Sequence, residues 1–147
     1  MKFAIGLMTL AGLSLFASIA QAETVLELSG NDTMQFDNKS FEVPAGEEVK
    51  LVFTNKGNLP KAAMGHNVVI LKPGSNVMAF GAGAATAAAT DYVPQSGPMA
   101  EQVVAATKLL GPGESDTITF TLEAGTYDYI CSFPGHYALM KGVITAK

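Results

Sequence analysis

Near its C-terminus the chain reads Cys131-Ser-Phe-Pro-Gly-His136-Tyr-Ala-Leu-Met140, and no other stretch narrows its possible folds so far. Here lie the only cysteine, one of two histidines and a methionine, in the order Cys-x4-His-x3-Met. The second histidine, His66, stands far upstream in Met64-Gly65-His66-Asn67. A thiolate, two imidazoles and a thioether suit a soft transition metal. Two His and one Cys near a plane, with Met as a long axial contact, is the donor set of a blue-copper electron-transfer centre. An extended chain rises about 3.3–3.6 Å per residue, so Cys131 and His136 could not share an ion along a straight segment. The loop must curl back, and Pro134-Gly135 supplies the turn. The fold must then bring His66 to the same place.

With 147 residues the chain makes one domain with one ordinary core. Lys2 followed by an apolar run to Ala20 and an Ala20-Gln21-Ala22 site reads as a secretory signal over residues 1–22, cleaved after Ala22, leaving one domain over 23–147. The rival is an uncleaved membrane anchor, for which the run is near the lower length limit. Without a cysteine after the run, lipidation there is excluded. The formal charge is −4, and losing Lys2 makes it −5. No arginine and no basic patch speak against nucleic acid and phosphate recognition. A mildly acidic exported protein fits small redox partners, although solubility explains the sign equally well. One cysteine rules out an internal disulfide and leaves a free thiol or a metal thiolate.

Along the chain, Val25–Leu28 opens a strand and Gly30-Asn-Asp32 turns it. Ser40–Val43, the turn Pro44-Ala-Gly46 and the alternating Val49, Leu51 and Phe53 predict a hairpin. His66–Leu71 predicts a strand buried on both faces. From Ser75 to Thr90 the alanines favour helix but Gly81 and Gly83 interrupt it, predicting one or two helical turns in a flap. Val103–Leu110 predicts a strand. Ile118, Phe120 and Leu122 alternate with threonines, and Glu123-Ala-Gly125 predicts a hairpin turn into Thr126–Cys131. Gly142–Ala146 closes the sheet. The sum is an all-β, antiparallel Greek-key sandwich or barrel with a short helical flap.

Four blocks carry a resemblance: CSFPGHYALMKG, NLPKAAMGHN (58–67), GNDTMQF (30–36) and ATKLLGPGESDTITF (106–120). In this order they resemble azurin and its auracyanin relatives, the cupredoxins, over nearly the whole mature chain. The resemblance implies one copper held by His66, Cys131 and His136, with Met140 axial and the Gly65 carbonyl as a weak contact opposite. It implies that the Asn67 amide tethers the two ligand segments and that the Phe133 N–H donates to the Cys131 sulfur, which raises the reduction potential. Met34, Met64, Phe133, Pro134 and Ala138 would form an apolar docking patch around His136, reshaped by Tyr137. The implied partners are redox donors and acceptors, a cytochrome or a copper enzyme, in transient complexes with a monomer. Three departures stand out: the missing disulfide, Val68 where azurin has its core tryptophan, and Asn55 in place of a pH-responsive histidine. No pH-linked histidine away from the metal is therefore expected.

Two histidines, both used, cannot also build the second copper site of an oxygen- or nitrite-reducing enzyme, so no catalysis is expected. Three rivals stay open. A copper carrier or storage protein could use the same ligands, although Met78 and Met99 do not cluster with others in sequence. A Cys–His nucleophile pair leaves His66 and Met140 unexplained. Structural zinc suits thiolate and imidazole alike.

Overall fold

The computed structural model describes residues 22–147, so nearly all of the expected signal segment lies outside the described residues. The strands are β1 (Thr24–Gly30), β2 (Ser40–Val43), β3 (Glu48–Asn55), β4 (Val69–Leu71), β5 (Val103–Ala106), β6 (Ser115–Thr121), β7 (Gly125–Ile130) and β8 (Lys141–Ala146). They form two sheets, ordered β1-β3-β6 and β2-β8-β7-β4-β5. Among the described residues neither sheet closes on itself, so the Greek-key arrangement is a sandwich rather than a barrel.

Both predicted hairpins turn out to be crossings between sheets. β2 pairs with β8 and β3 with β1, each in parallel, so the sheets are mixed rather than antiparallel throughout. The turn at Pro44-Ala-Gly46 is real, but Ala45 donates to Lys147 at the end of β8 and Gly46 to Leu122 at the end of β6. Likewise β6 pairs with β3 while β7 pairs with β4 and β8. Turn residues fix where a chain bends. Which sheet it rejoins depends on where each strand can bury its apolar side.

That apolar side is the sandwich interior. β3 alternates strictly, with Val49, Leu51 and Phe53 buried. They meet Leu26 and Leu28 of β1, Phe120 of β6, and Ile70, Tyr129 and Ile144 from the facing sheet. Val68 is fully buried.

A second, smaller cluster lies on the outer face of the five-stranded sheet. Val69, Leu71 and Ile130 point away from the sandwich and are covered by Phe80 and Ala84 of a helix, α2 (Val77–Ala84), and by Val93. The continuous apolar run at 66–71 is thus buried on both faces, and the flap supplies the second face. The flap departs from its predicted form: α2 runs through Gly81 and Gly83 and continues as a 3-10 turn over Ala85–Thr90. Asn76 caps it, its Oδ1 accepting from the Ala79 N–H at 3.0 Å. Packing has overridden the helix penalty of the two glycines. The strand expected over 103–110 stops at Ala106, where the Thr107 hydroxyl takes the Val68 N–H at 2.9 Å. Pairing reappears only as a bridge between His66 and Leu110.

Candidate metal centre

His66, Cys131 and His136 converge at one end of the sandwich. One donor atom from each lies within 4.8 Å of the other two. The Cys131 sulfur is 3.8 Å from His66 Nδ1 and 3.6 Å from His136 Nδ1. Imidazole and thiolate bonds of about 2.0–2.3 Å set donors around one ion roughly 3.6 to 3.8 Å apart, whether tetrahedral or trigonal. The residues fit a single soft metal ion. All three are buried, with exposures of 0, 0 and 3 %.

The upstream ligand is fixed from several sides. His66 leaves a four-residue helix, α1 (Lys61–Met64), through Gly65 and exchanges backbone hydrogen bonds with Leu110 at 3.1 and 2.7 Å. Its Nε2–H donates to the Asn31 carbonyl at 2.9 Å, which leaves Nδ1 as the lone-pair nitrogen facing the sulfur. The Asn31 turn is itself stapled, since Asp32 accepts from the Asn58 N–H at 2.7 Å.

Downstream, β7 delivers Cys131 and β8 takes over after Met140, so both ends of the loop are anchored in adjacent strands. The Cys131 N–H donates to the Met140 carbonyl at 2.9 Å, closing it. Gly135 lies at φ +83, the left-handed bend that lets the segment curl, as the Pro-Gly pair predicted. A 3-10 turn over His136–Ala138 presents His136 inward. No side-chain hydrogen bond of the described residues involves its Nε2, which is not a buried unpaired atom either, so that edge of the ring meets solvent.

Asn67 joins the two segments. Its Oδ1 accepts from the Ser132 N–H at 2.8 Å and its Nδ2 donates to Ser132 Oγ at 2.8 Å. Burial pushes the Cys131 thiol up to about 12, against the pull of the backbone N–H groups of Asn67 and Phe133. Burial holds His66 below the ordinary imidazole range and, with His66 beside it, His136 at about 4. Both rings are therefore neutral ligands near neutral pH, while the thiol needs a cation to give up its proton.

Met140 is fully buried against the site, with its methyl and the His66 ring both reaching Gly30. A Cβ on Gly30 would stand 2.5 Å from the Met140 Cε and 3.4 Å from the His66 ring, so a larger residue here would have to displace the Met140 methyl. Gly65 is buried and extended, pressed against the Lys61 carbonyl and Leu109. Of the expected surface patch, Pro134 and Ala138 are exposed and Met34 and Met64 partly so. Phe133 is not part of it: its ring is buried, 4.6 Å from the His136 ring. Tyr137 turns away from that surface towards the flap. Asn55 is buried and satisfied, donating to the Leu110 carbonyl and accepting from the Gly57 N–H.

Sequence reasoning missed Asn31, Ser132, Asp91 and Tyr92. Asn31, Asp91 and Tyr92 act through backbone carbonyls, accepting from His66, Asn67 and Ser132, which side-chain identity does not announce. The one available signal was the Asx turn at Asn31, whose Oδ1 takes the Thr33 N–H at 3.0 Å.

Comparison with known proteins agrees with this geometry. The family model for copper binding proteins of the plastocyanin/azurin family matches residues 22–147. An azurin from Alcaligenes faecalis is 40% identical over 124 residues, covering 81% of this chain and 94% of that protein. Among solved structures, the reduced auracyanin from Roseiflexus castenholzii superposes with a TM-score of 0.73 at 38% identity, over 86% of this chain and 99% of that one. An azurin from Methylomonas sp. strain J gives 0.75 at 32% identity with the same coverage.

Proposed function

Because this chain belongs to the plastocyanin/azurin family of copper-binding proteins, we propose that it works as a type 1 copper electron carrier whose metal is held by His66, Cys131, His136 and Met140. Electron transfer at one copper is the activity of the family and of this chain. The observation that carries the ligand assignment is the buried gathering of two Nδ1 atoms and one thiol sulfur at 3.6 and 3.8 Å. Copper bound there supplies a one-electron Cu(I)/Cu(II) couple, which no side chain of this protein provides.

The protein's part is to hold donors still. Asn31 sets the tautomer of His66, and Asn67 locks the Cys131 segment to it. The N–H groups of Asn67 and Phe133 draw density from the sulfur. Buried Met140 would add its thioether to the donor set, and the Gly65 carbonyl would add a weaker contact. Donors that neither swing nor hydrate keep reorganisation between the two oxidation states small.

His136 is the ligand that meets solvent, so a partner comes closest there. Pro134, Ala138 and Leu139, its neighbours in sequence, are exposed, and Met34 and Met64, partly exposed, would complete an apolar docking patch. Such a small apolar contact suits a short-lived complex with a redox donor or acceptor, a cytochrome or copper enzyme, and the carrier acts as a monomer. The N-terminal segment serves as an export signal cleaved after Ala22, which puts the mature domain in the periplasm.

Adding Cu(II) to the purified protein tests this. An intense visible thiolate-to-copper band is expected. A colourless adduct would instead favour the copper carrier or the zinc site.

A further inference from the structure

We propose that the flap, Val77–Val93, is a splint for the metal-ligand loop, with Tyr137 as the positioning residue that locks it. The inference deepens the copper reading and depends on it only where copper is measured.

The two parts touch at three points. Tyr137 follows His136 in the same 3-10 turn, and its side chain packs against the cluster that contains Phe80 and Ala84. The ring lies face-on against Gly81 of α2: a Cβ on Gly81 would sit inside the ring's van der Waals surface, above Cγ and between Cδ1 and Cδ2. Around it the flap's Phe80 and Ala84 pack with Val69, Leu71 and Ile130 of the sheet. At the start of the loop, the Ser132 hydroxyl donates to the Tyr92 carbonyl at 2.7 Å, and Asn67 Nδ2 donates to the Asp91 carbonyl at 2.9 Å. The Tyr92 ring then meets Phe133 edge-on, with centroids 5.2 Å apart.

The backbone at that junction is not relaxed. Asp91 and Tyr92 lie at φ +57 and +60, two consecutive non-glycine residues in the left-handed region. Single residues there are uncommon, and a bulky one is a site of strain. Strain of this kind persists only where surrounding contacts hold it. Here those contacts are the bonds that Asn67 and Ser132 make to the two strained carbonyls. The flap is thereby drawn onto both the beginning and the middle of the loop that carries Cys131 and His136. In a loop anchored to the sheets only at its ends, these contacts decide how far His136 can wander.

Gly81 provides the sharpest test, because propensity and packing disagree in sign. Within α2, alanine is the better helix former. If the glycine is there for Tyr137, Gly81→Ala must nevertheless loosen the loop. The experiment compares Tyr137→Ala, Tyr137→Phe, Gly81→Ala and the Gly81→Ala/Tyr137→Ala double variant in the full-length protein, with and without copper. Two quantities are read: amide exchange over residues 133–140 against that over Val49–Phe53, and the rate of copper loss to a chelator. Tyr137→Ala should speed loop exchange and copper loss on the order of tenfold, the size of effect that supporting residues have at metal sites. Exchange at Val49–Phe53 should not change. Tyr137→Phe should stay within about twofold of the native protein, since the ring is what packs. Gly81→Ala should resemble Tyr137→Ala, and the double variant should be no worse than either single one.

Loop exchange that stays native in Tyr137→Ala overturns the splint, as does exchange that rises equally in the core strand. Additive penalties in the double variant overturn the pairing of Tyr137 with Gly81. A protein that shows the loop effect but never turns blue sinks the copper reading and leaves the splint standing. A blue protein with an unaltered loop does the reverse.

Discussion

The two segments that supply ligands are held in different ways. Around His66 everything is internal: paired backbone bonds to Leu110, a ring nitrogen bound to Asn31, and no solvent contact. The Cys131–Met140 loop is closed at its base by one bond from Cys131 to Met140 and shaped inside by the short turn at His136. Its remaining support comes from Asn67 and the flap. The difference teaches how such a site can be rigid and still reachable. One imidazole is sealed, and the other gives up a partner on its far nitrogen to keep an edge at the surface. A loop that must expose an edge cannot be pinned on that side, so its supports gather on the other.

The largest expected effect removes the donor that both histidines face. Cys131→Ala should abolish the visible copper band while the domain stays folded, because a buried thiol is a small apolar group and its loss costs about 1 kcal/mol. Spectra and urea unfolding check the two halves separately. A surviving band would mean that the sulfur is not a ligand.

Next in size is the cross-link between the segments. Asn67→Ala removes the acceptor of the Ser132 N–H and the donor to Ser132 Oγ, both buried, and the donor to the part-buried Asp91 carbonyl. Leaving buried polar groups unpaired costs roughly 1–3 kcal/mol each, so a loss of about 3 kcal/mol is expected. Because the His66 side keeps its own bonds to Leu110 and Asn31, exchange should rise in the ligand loop more than at His66. Equal loosening of both would break the distinction.

Met140→Leu is milder. The swap nearly conserves volume in a fully buried site, so stability should fall by less than about 1.5 kcal/mol. Copper should stay bound, and the reduction potential should rise because a thioether that favours Cu(II) is gone. An unchanged potential would make Met140 packing alone.

The metal ligands were legible in the sequence because their side chains are rare: one cysteine and two histidines leave few combinations. The sandwich was legible in the alternation of β3, since burying one face of a strand needs only local pattern. The sheet partners were not. Pro44-Ala-Gly46 and Glu123-Ala-Gly125 look like hairpin turns, yet both cross from one sheet to the other, a choice made by contacts distant in sequence. Gly81 read as a helix breaker for the same reason: the ring that requires it is 56 positions away, counting from Gly81 to Tyr137. The part of Asn31, whose carbonyl orients His66, was not legible beyond its turn, because any residue could offer that oxygen.

The smallest effect tests whether the His66 side has support that acid can remove. Asp37 accepts the Ser29 N–H and hydroxyl, both at 2.8 Å, and so closes the excursion that contains the Asn31 turn. Burial alone would raise its carboxyl, but the two Ser29 bonds, with Lys56 nearby, hold it below the ordinary 3.8. A carboxyl depressed in the folded state contributes stability above its unfolded value, and that contribution fades as pH falls through the lower folded value. Asp37→Asn should therefore cost about 1 kcal/mol at neutral pH, no more because the group is largely solvated. The gap between native and variant should close as the pH drops below about 4. Amide exchange should rise over Asn31–Phe36 and not over residues 133–140, where no carboxylate takes part in the loop's hydrogen bonds among the described residues. A gap that persists into acid would mean that Asp37 acts through packing, and a response in the ligand loop would mean that the two supports are one.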